Sequence, residues 1–98
     1  MNSFIIGERI RIIIFIKDIK RSYVAMRLGM SYNTLTKKIQ GKREFSYIEI
    51  CKLKDILELS DELAIKVFFD PNFDIEKKFT NIIKFVRTNA KKEQHALF

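Results

Sequence analysis

Residues 21–41, RSYVAMRLGMSYNTLTKKIQG, decide the fold of this chain, because they predict two short helices joined by a tight turn. Gly29 offers the positive φ with which a helix ends, and Ser31 is a good N-cap for a helix that follows. In that second helix Leu35 and Ile39 lie four residues apart, so both face inward. The stretch therefore predicts a helix, a three-residue turn and another helix.

Small and apolar side chains in the same stretch are suited to fix the angle between the two helices. Ala25 lets the backbones approach closely, while Met30 and Leu35 fill the angle between them. The polar side of the second helix then points outward as a candidate binding surface. Its members are Tyr32, Asn33, Thr34, Thr36, Lys37 and Lys38.

The positive charge of the chain is concentrated around this motif. The net charge over all 98 residues is +7. Residues 17–43 carry eight Lys or Arg against Asp18 alone, whereas residues 44–76 carry three Lys against nine acids. A molecule polarised in this way attracts a polyanion with one face and turns the other face away from it. Nucleic acid is therefore the leading candidate partner.

The rest of the chain predicts further helices. Three Gly, one Pro and no Asn-Gly turn argue against a β-barrel or sandwich. A first helix is predicted over residues 7–17, although its run of isoleucines also suits a strand. A capping box that starts at Ser46 predicts a fourth helix ending near Leu59, and Ser60 caps a fifth through about Phe69.

The order and spacing of motifs along the chain resemble those of the lambda-repressor-like, or Xre, helix-turn-helix proteins of phages and bacteria. The resemblance covers roughly residues 7–69. It is carried by Gly7-Glu8-Arg9-Ile10-Arg11, Val24-Ala25, Leu28-Gly29-Met30-Ser31, Gly41-Lys42-Arg43 and Leu57-Glu58-Leu59-Ser60. The chain departs from the family at the start of the second helix, where Lys20 and Arg21 replace a Ser or Thr cap and a Gln. Lys38 stands where the family is often apolar.

The resemblance implies an all-α, five-helix lambda-repressor-like fold, to which this chain adds a C-terminal helix. Residues 1–70 would form the DNA-binding domain, with the motif at about residues 21–40, and residues 71–98 the C-terminal helix and tail. The family lays its third helix in the major groove and its second across the phosphate backbone. The implied function is transcriptional regulation on double-stranded DNA, in the cytoplasm of a bacterial or phage-infected cell.

By position in the motif, the resemblance implies two sets of DNA contacts. Asn33 would pair with adenine, Lys37 with guanine, and the methyl group of Thr36 with thymine. The residues expected to read base edges are Tyr32, Asn33, Thr36 and Lys37. The residues expected to bind phosphates are Lys17, Lys20, Arg21, Ser22, Lys38, Lys42 and Arg43.

An apolar stripe in a last helix, predicted over residues 74–90, favours a homodimer. A symmetric repressor needs a self-complementary surface and holds its reading helices about 34 Å apart on a palindrome. The interface expected there, together with the fifth helix, contains Phe79, Ile82, Ile83 and Val86. The same apolar surplus leaves a second class open, a protein-interaction module such as an antitoxin-like protein or an antirepressor.

Residues suited to catalysis or metal binding are scarce. His95 is the only histidine, and Cys51, the only cysteine, is expected to be buried in the fourth helix. The sequence lacks Gly-rich phosphate loops and metal-ligand spacings, so we expect no enzymatic activity, cofactor or metal. The longest apolar run, residues 12–16, is far shorter than the ~20 residues that cross a bilayer, so we expect no membrane-spanning segment. The last helix, basic on one side and apolar on the other, leaves membrane-surface binding open, but such binding does not explain the motif, so we expect no membrane partner.

Overall fold

The structure is a computed structural model and describes residues 1–81 and 84. Six helices and no strand occur in that range, so the all-α prediction is confirmed. The helices are α1 (Ser3–Lys17), α2 (Arg21–Leu28), α3 (Tyr32–Ile39), α4 (Tyr47–Ile56), α5 (Asp61–Phe69) and α6 (Ile75–Lys78). None of the helices described is long and apolar enough to cross a membrane.

Helix α1 begins before the predicted residue 7, because Asn2 caps it. The Asn2 side-chain oxygen accepts a hydrogen bond from the Ile5 N–H at 2.9 Å. The strand preference of isoleucine is overridden by burial in the core. The buried isoleucines of α1 are Ile10, Ile12, Ile13, Ile14 and Ile16.

The start of α4 follows the sequence prediction, but its end does not. Ser46 and Glu49 form the predicted capping box. The helix stops at Ile56, short of the predicted Leu59, because Glu58 takes a left-handed conformation with φ 54°. The side-chain oxygen of Ser60 then caps α5 as predicted.

One apolar core joins the helices. Helix α1 packs against α3, α5 and α6, while α2 packs against α3 and α4. The largest fully buried side chains come from every helix between α1 and α5 and from the turn after α4. They are Ile10, Val24, Leu35, Leu53, Leu57 and Val67.

Two glycines allow α1 to lie directly against the end of α3. A Cβ atom on Gly7 would come within 2.0 Å of the Ile39 carbonyl oxygen, so no larger residue fits without a backbone shift. Gly41 has a φ of 80°, and a Cβ atom there would lie 2.7 Å from the Cα of Phe4. Helix α1 therefore positions the C-terminal end of α3 through backbone contact.

Arg9 connects α1 to the end of α5. Its side chain is only 4% exposed, and its guanidinium donates to the carbonyl oxygens of Lys66 and Val67, each at 3.1 Å. It also donates to the Phe73 carbonyl at 2.7 Å. The last carbonyls of a helix have no partner within the helix, so Arg9 satisfies groups that burial would otherwise leave unpaired.

The chain beyond Pro71 packs on the same core as the rest. Asp74 caps α6 by accepting from the Lys77 N–H at 3.0 Å, and Ile75 is buried. Phe79 is half-buried against that core, so the structure does not present it as a free dimer surface. The core therefore runs across the predicted boundary at residue 70. The other residues predicted for the dimer interface, Ile82, Ile83 and Val86, lie outside the described residues.

Candidate nucleic-acid interface

The turn between α2 and α3 has the predicted geometry. Gly29 adopts φ 71°, and its N–H donates to the Met26 carbonyl at 3.1 Å. The Met30 N–H donates to the Ala25 carbonyl at 3.0 Å, which completes a Schellman motif. The Ser31 hydroxyl oxygen then accepts from the Thr34 N–H at 3.1 Å and caps α3. Each step uses a residue type that the local sequence already indicated.

Helix α3 has one buried and one outward side. Leu35 and Ile39 are buried, as predicted. Of the residues predicted to read bases, Tyr32, Asn33 and Lys37 are exposed and Thr36 is half-buried. The helix therefore presents a polar side to solvent while its apolar side is held by the core.

Arg21 joins the start of α2 to this outward side. Its guanidinium donates to the Thr36 hydroxyl oxygen at 3.3 Å and lies 6.0 Å from the ring centre of Tyr32. A residue predicted to bind phosphate thus contacts two predicted to read bases. We call the exposed and half-buried residues in this region the motif surface. It comprises Lys20, Arg21, Ser22, Tyr32, Asn33, Thr36 and Lys37.

The cations of the motif surface form no ion pair among the residues that the structure describes. Within residues 1–81 and 84, none of Lys20, Arg21 or Lys37 takes part in an ion pair. The same holds in that range for Lys42 and Arg43, which are exposed in the loop that follows α3. These five cations are available to an external anion.

Lys38, predicted to bind phosphate, is instead held inside the protein. Its side chain is 11% exposed, and its Nζ lies 2.6 Å from Oε1 of Glu49 and 5.8 Å from the ring centre of Phe45. Glu49 Oε1 also accepts from the Ser46 N–H at 2.9 Å. Burial acts to raise the pKa of Glu49, but the hydrogen bonds from Lys38 and Ser46 outweigh it, and the pKa is lowered. Lys38 therefore ties α3 to the start of α4.

Lys17 is a second correction to the predicted phosphate set. Its Nζ donates to the carbonyl oxygen of Leu57 at 2.6 Å and to that of Glu58 at 3.3 Å. These carbonyls close the C-terminal end of α4, where a cation is favourable. Lys17 therefore stabilises the end of a helix. No local sequence pattern predicts this contact, because the partner lies 40 residues away.

The one cysteine also differs from expectation. Cys51 is exposed, since it lies on the outward side of α4, whereas Leu53 and Ile56 point into the core. No three His, Cys, Asp or Glu side chains converge as metal ligands in the described part of the chain.

Neither a protein-family model nor a curated protein nor a solved structure gives a significant match to this chain. The assignment to the lambda-repressor-like family thus stays a prediction, carried by the quoted motif residues.

Proposed function

We propose that the chain is a sequence-specific regulator of transcription that binds double-stranded DNA in the manner of phage repressors. The observation that carries the proposal is the motif surface, where the polar side of α3 is flanked by cations with no acidic partner in residues 1–81 and 84. An α-helix is about 10–12 Å across, and the major groove is about 12 Å wide. The outward side of α3 would enter that groove.

The proposed contacts divide into two roles. Base edges are read from α3, and phosphates are bound on both sides of it. The start of α2 suits a phosphate. Lys20 occupies the N-cap position, but its side chain makes no hydrogen bond to the backbone N–H groups of the first turn, so these groups can donate to an anion. The base-reading residues are Tyr32, Asn33, Thr36 and Lys37. The phosphate-binding residues are Lys20, Arg21, Ser22, Lys42 and Arg43, without Lys17 and Lys38, whose ammonium groups are used within the protein.

We assign the dimer contact to α5 rather than to Phe79. Ile65 and Phe69 lie one turn apart on α5, and each is 60% exposed. Large apolar side chains exposed side by side suit a self-complementary contact. Ile65→Glu is expected to give a monomer in sedimentation, with weaker binding to a palindromic site. Ile48→Glu is the matched control, because Ile48 is 65% exposed but lies on α4. A dimer that survives Ile65→Glu would contradict the assignment.

The test of the function is selection of bound sites from random duplex DNA. The proposal expects enrichment of one palindromic sequence. Its affinity should fall by about 10³–10⁵ between about 50 and 200 mM salt, because neutralised phosphates release counterions. Enrichment of no sequence would contradict the proposal and favour a protein-interaction module. An affinity that does not change with salt concentration would contradict the proposed phosphate contacts.

A further inference from the structure

Arg21 contacts two of the four side chains proposed to read bases. Its Nη1 lies 3.3 Å from Oγ1 of Thr36, fifteen residues along the chain, and its guanidinium faces the ring of Tyr32. Both Arg21 and Thr36 are half-buried, so the hydrogen bond is partly shielded from water. A guanidinium has five N–H donors, which leaves donors on Arg21 for an external phosphate.

The hydrogen bond favours one orientation of the Thr36 methyl group. A helical threonine divides between two χ1 rotamers, in one of which its hydroxyl bonds a carbonyl of the preceding turn. Thr80, two residues beyond the end of α6, makes a bond of that kind, since its hydroxyl donates to the Glu76 carbonyl at 2.6 Å. The Thr36 oxygen accepts from Arg21 at 3.3 Å, and among the described residues its hydroxyl makes no bond to a carbonyl of the preceding turn. Because oxygen and methyl share one Cβ atom, fixing the oxygen fixes the methyl as well.

We infer that Arg21 is a positioning residue for sequence recognition, which holds the Thr36 methyl group toward the 5-methyl group of a thymine. The inference rests on the proposed function. Thymine is distinguished in the major groove by that methyl group, and an apolar contact with a threonine methyl reads it. A phosphate contact and a base contact are thereby coupled through one side chain. The affinity for thymine at one operator position depends on Arg21 although Arg21 touches no base.

The test uses the duplex recovered by selection, with its thymines replaced one at a time by deoxyuridine, which lacks only the methyl group. Wild-type protein is expected to bind about threefold to fourfold less tightly when one particular thymine is replaced. Thr36→Ser is expected to bind the thymine and deoxyuridine duplexes equally. Arg21→Lys keeps the charge but loses the planar guanidinium. Its thymine ratio, the affinity for the thymine duplex divided by that for the deoxyuridine duplex, should fall toward one.

Two further variants separate positioning from charge. Thr36→Val carries a methyl group in place of the hydroxyl, so adding Arg21→Lys to it should leave the ratio unchanged. Lys42→Gln removes one exposed cation and should weaken both duplexes equally. The ratio compares two duplexes with one protein preparation, so partial misfolding of a variant does not alter it.

The outcomes distinguish the two proposals. An Arg21→Lys variant that keeps the full wild-type ratio, or a recovered site at which no thymine responds, overturns this inference and leaves the proposed function standing. Selection that enriches no sequence counts against the proposed function itself.

Discussion

The motif surface and the junction between α1 and α5 each contain an arginine, in opposite surroundings. Arg9 at the junction is almost completely buried, and its guanidinium donates to three backbone carbonyls. Arg21 on the motif surface is half-buried, with a hydroxyl and an aromatic ring as its partners. An arginine whose donors are used by carbonyls joins parts of the fold, whereas one that keeps free donors can bind an anion.

The strongest way to test this contrast is to remove the buried guanidinium. Arg9→Met leaves three carbonyl groups without their charged donor and should lower the free energy of unfolding by about 3–5 kcal/mol. Urea unfolding measures the loss. Arg11→Met is the control, because Arg11 is exposed and, among residues 1–81 and 84, forms an ion pair with Glu8 alone, a contact worth about 0–1 kcal/mol. Equal losses in the two variants would contradict the structural role of Arg9.

A second change acts on the backbone that supports the motif surface. Gly7→Ala should lower the free energy of unfolding by about 1–3 kcal/mol, because the new Cβ atom meets the Ile39 carbonyl and must displace α3. DNA affinity should fall as well, since α3 carries the proposed base contacts. Gly29→Ala serves as a comparison. Apart from its neighbours in the chain, no atom of the described residues lies within 4 Å of a Cβ there, so strain from its positive φ alone should cost about 1–2 kcal/mol. If the Gly7→Ala variant bound the operator with wild-type affinity, this would contradict the inference that α1 positions α3 for DNA binding.

Within the motif surface, base contacts and phosphate contacts should respond differently. Asn33→Ala should reduce the preference for the selected site over a mismatched site by about tenfold, because a bidentate contact to adenine would be lost. Lys42→Ala should weaken binding to both sites alike and reduce the salt slope by about one. Competition binding at two salt concentrations measures both effects. If both variants lost the same affinity for the selected site as for the mismatched site, this would contradict the proposal that α3 reads bases.

The smallest effect concerns Lys38, the cation of the motif that is used inside the protein. Lys38→Met should lower the free energy of unfolding by about 1 kcal/mol at neutral pH, because Glu49 loses its partner. The pKa of Glu49 is lowered in the folded protein. Its ionised form thus adds stability above the ordinary pKa of 4.5, and this stability is lost as pH falls through the lowered folded pKa.

The variant should therefore lose less stability than the wild type over that acidic range. Lys42→Met is the control, since Lys42 is exposed and should change the free energy of unfolding by less than about 0.5 kcal/mol. If the free energy of unfolding of wild type and of Lys38→Met fell equally at acidic pH, this would contradict a stabilising ion pair between Lys38 and Glu49.

The sequence predicted the order of the helices, but their bounds and the roles of single cations only in part. Helix α1 starts at Ser3 and not at residue 7, α4 ends at Ile56 and not near Leu59, and α6 spans Ile75–Lys78, whereas the last helix was predicted over residues 74–90. The caps of α3, α4 and α5 at Ser31, Ser46 and Ser60 were all correct, because each cap bonds a group three residues away. Residues 17–43 predicted a basic region, but two of its cations, Lys17 and Lys38, have partners elsewhere in the chain. Charge counted along a chain does not reveal which cations are already paired.

Local sequence by itself determined the helix starts, the turn at Gly29 and the amphipathic side of α3, since these depend on atoms within about one helical turn. Tertiary structure alone decided the role of Arg9, whose carbonyl partners lie 57 to 64 residues away. It likewise decided which lysines of residues 17–43 are held by partners within the protein, namely Lys17 and Lys38. A long-range contact forms only when the packed core brings two segments together, so its partners leave no periodic signal in the sequence.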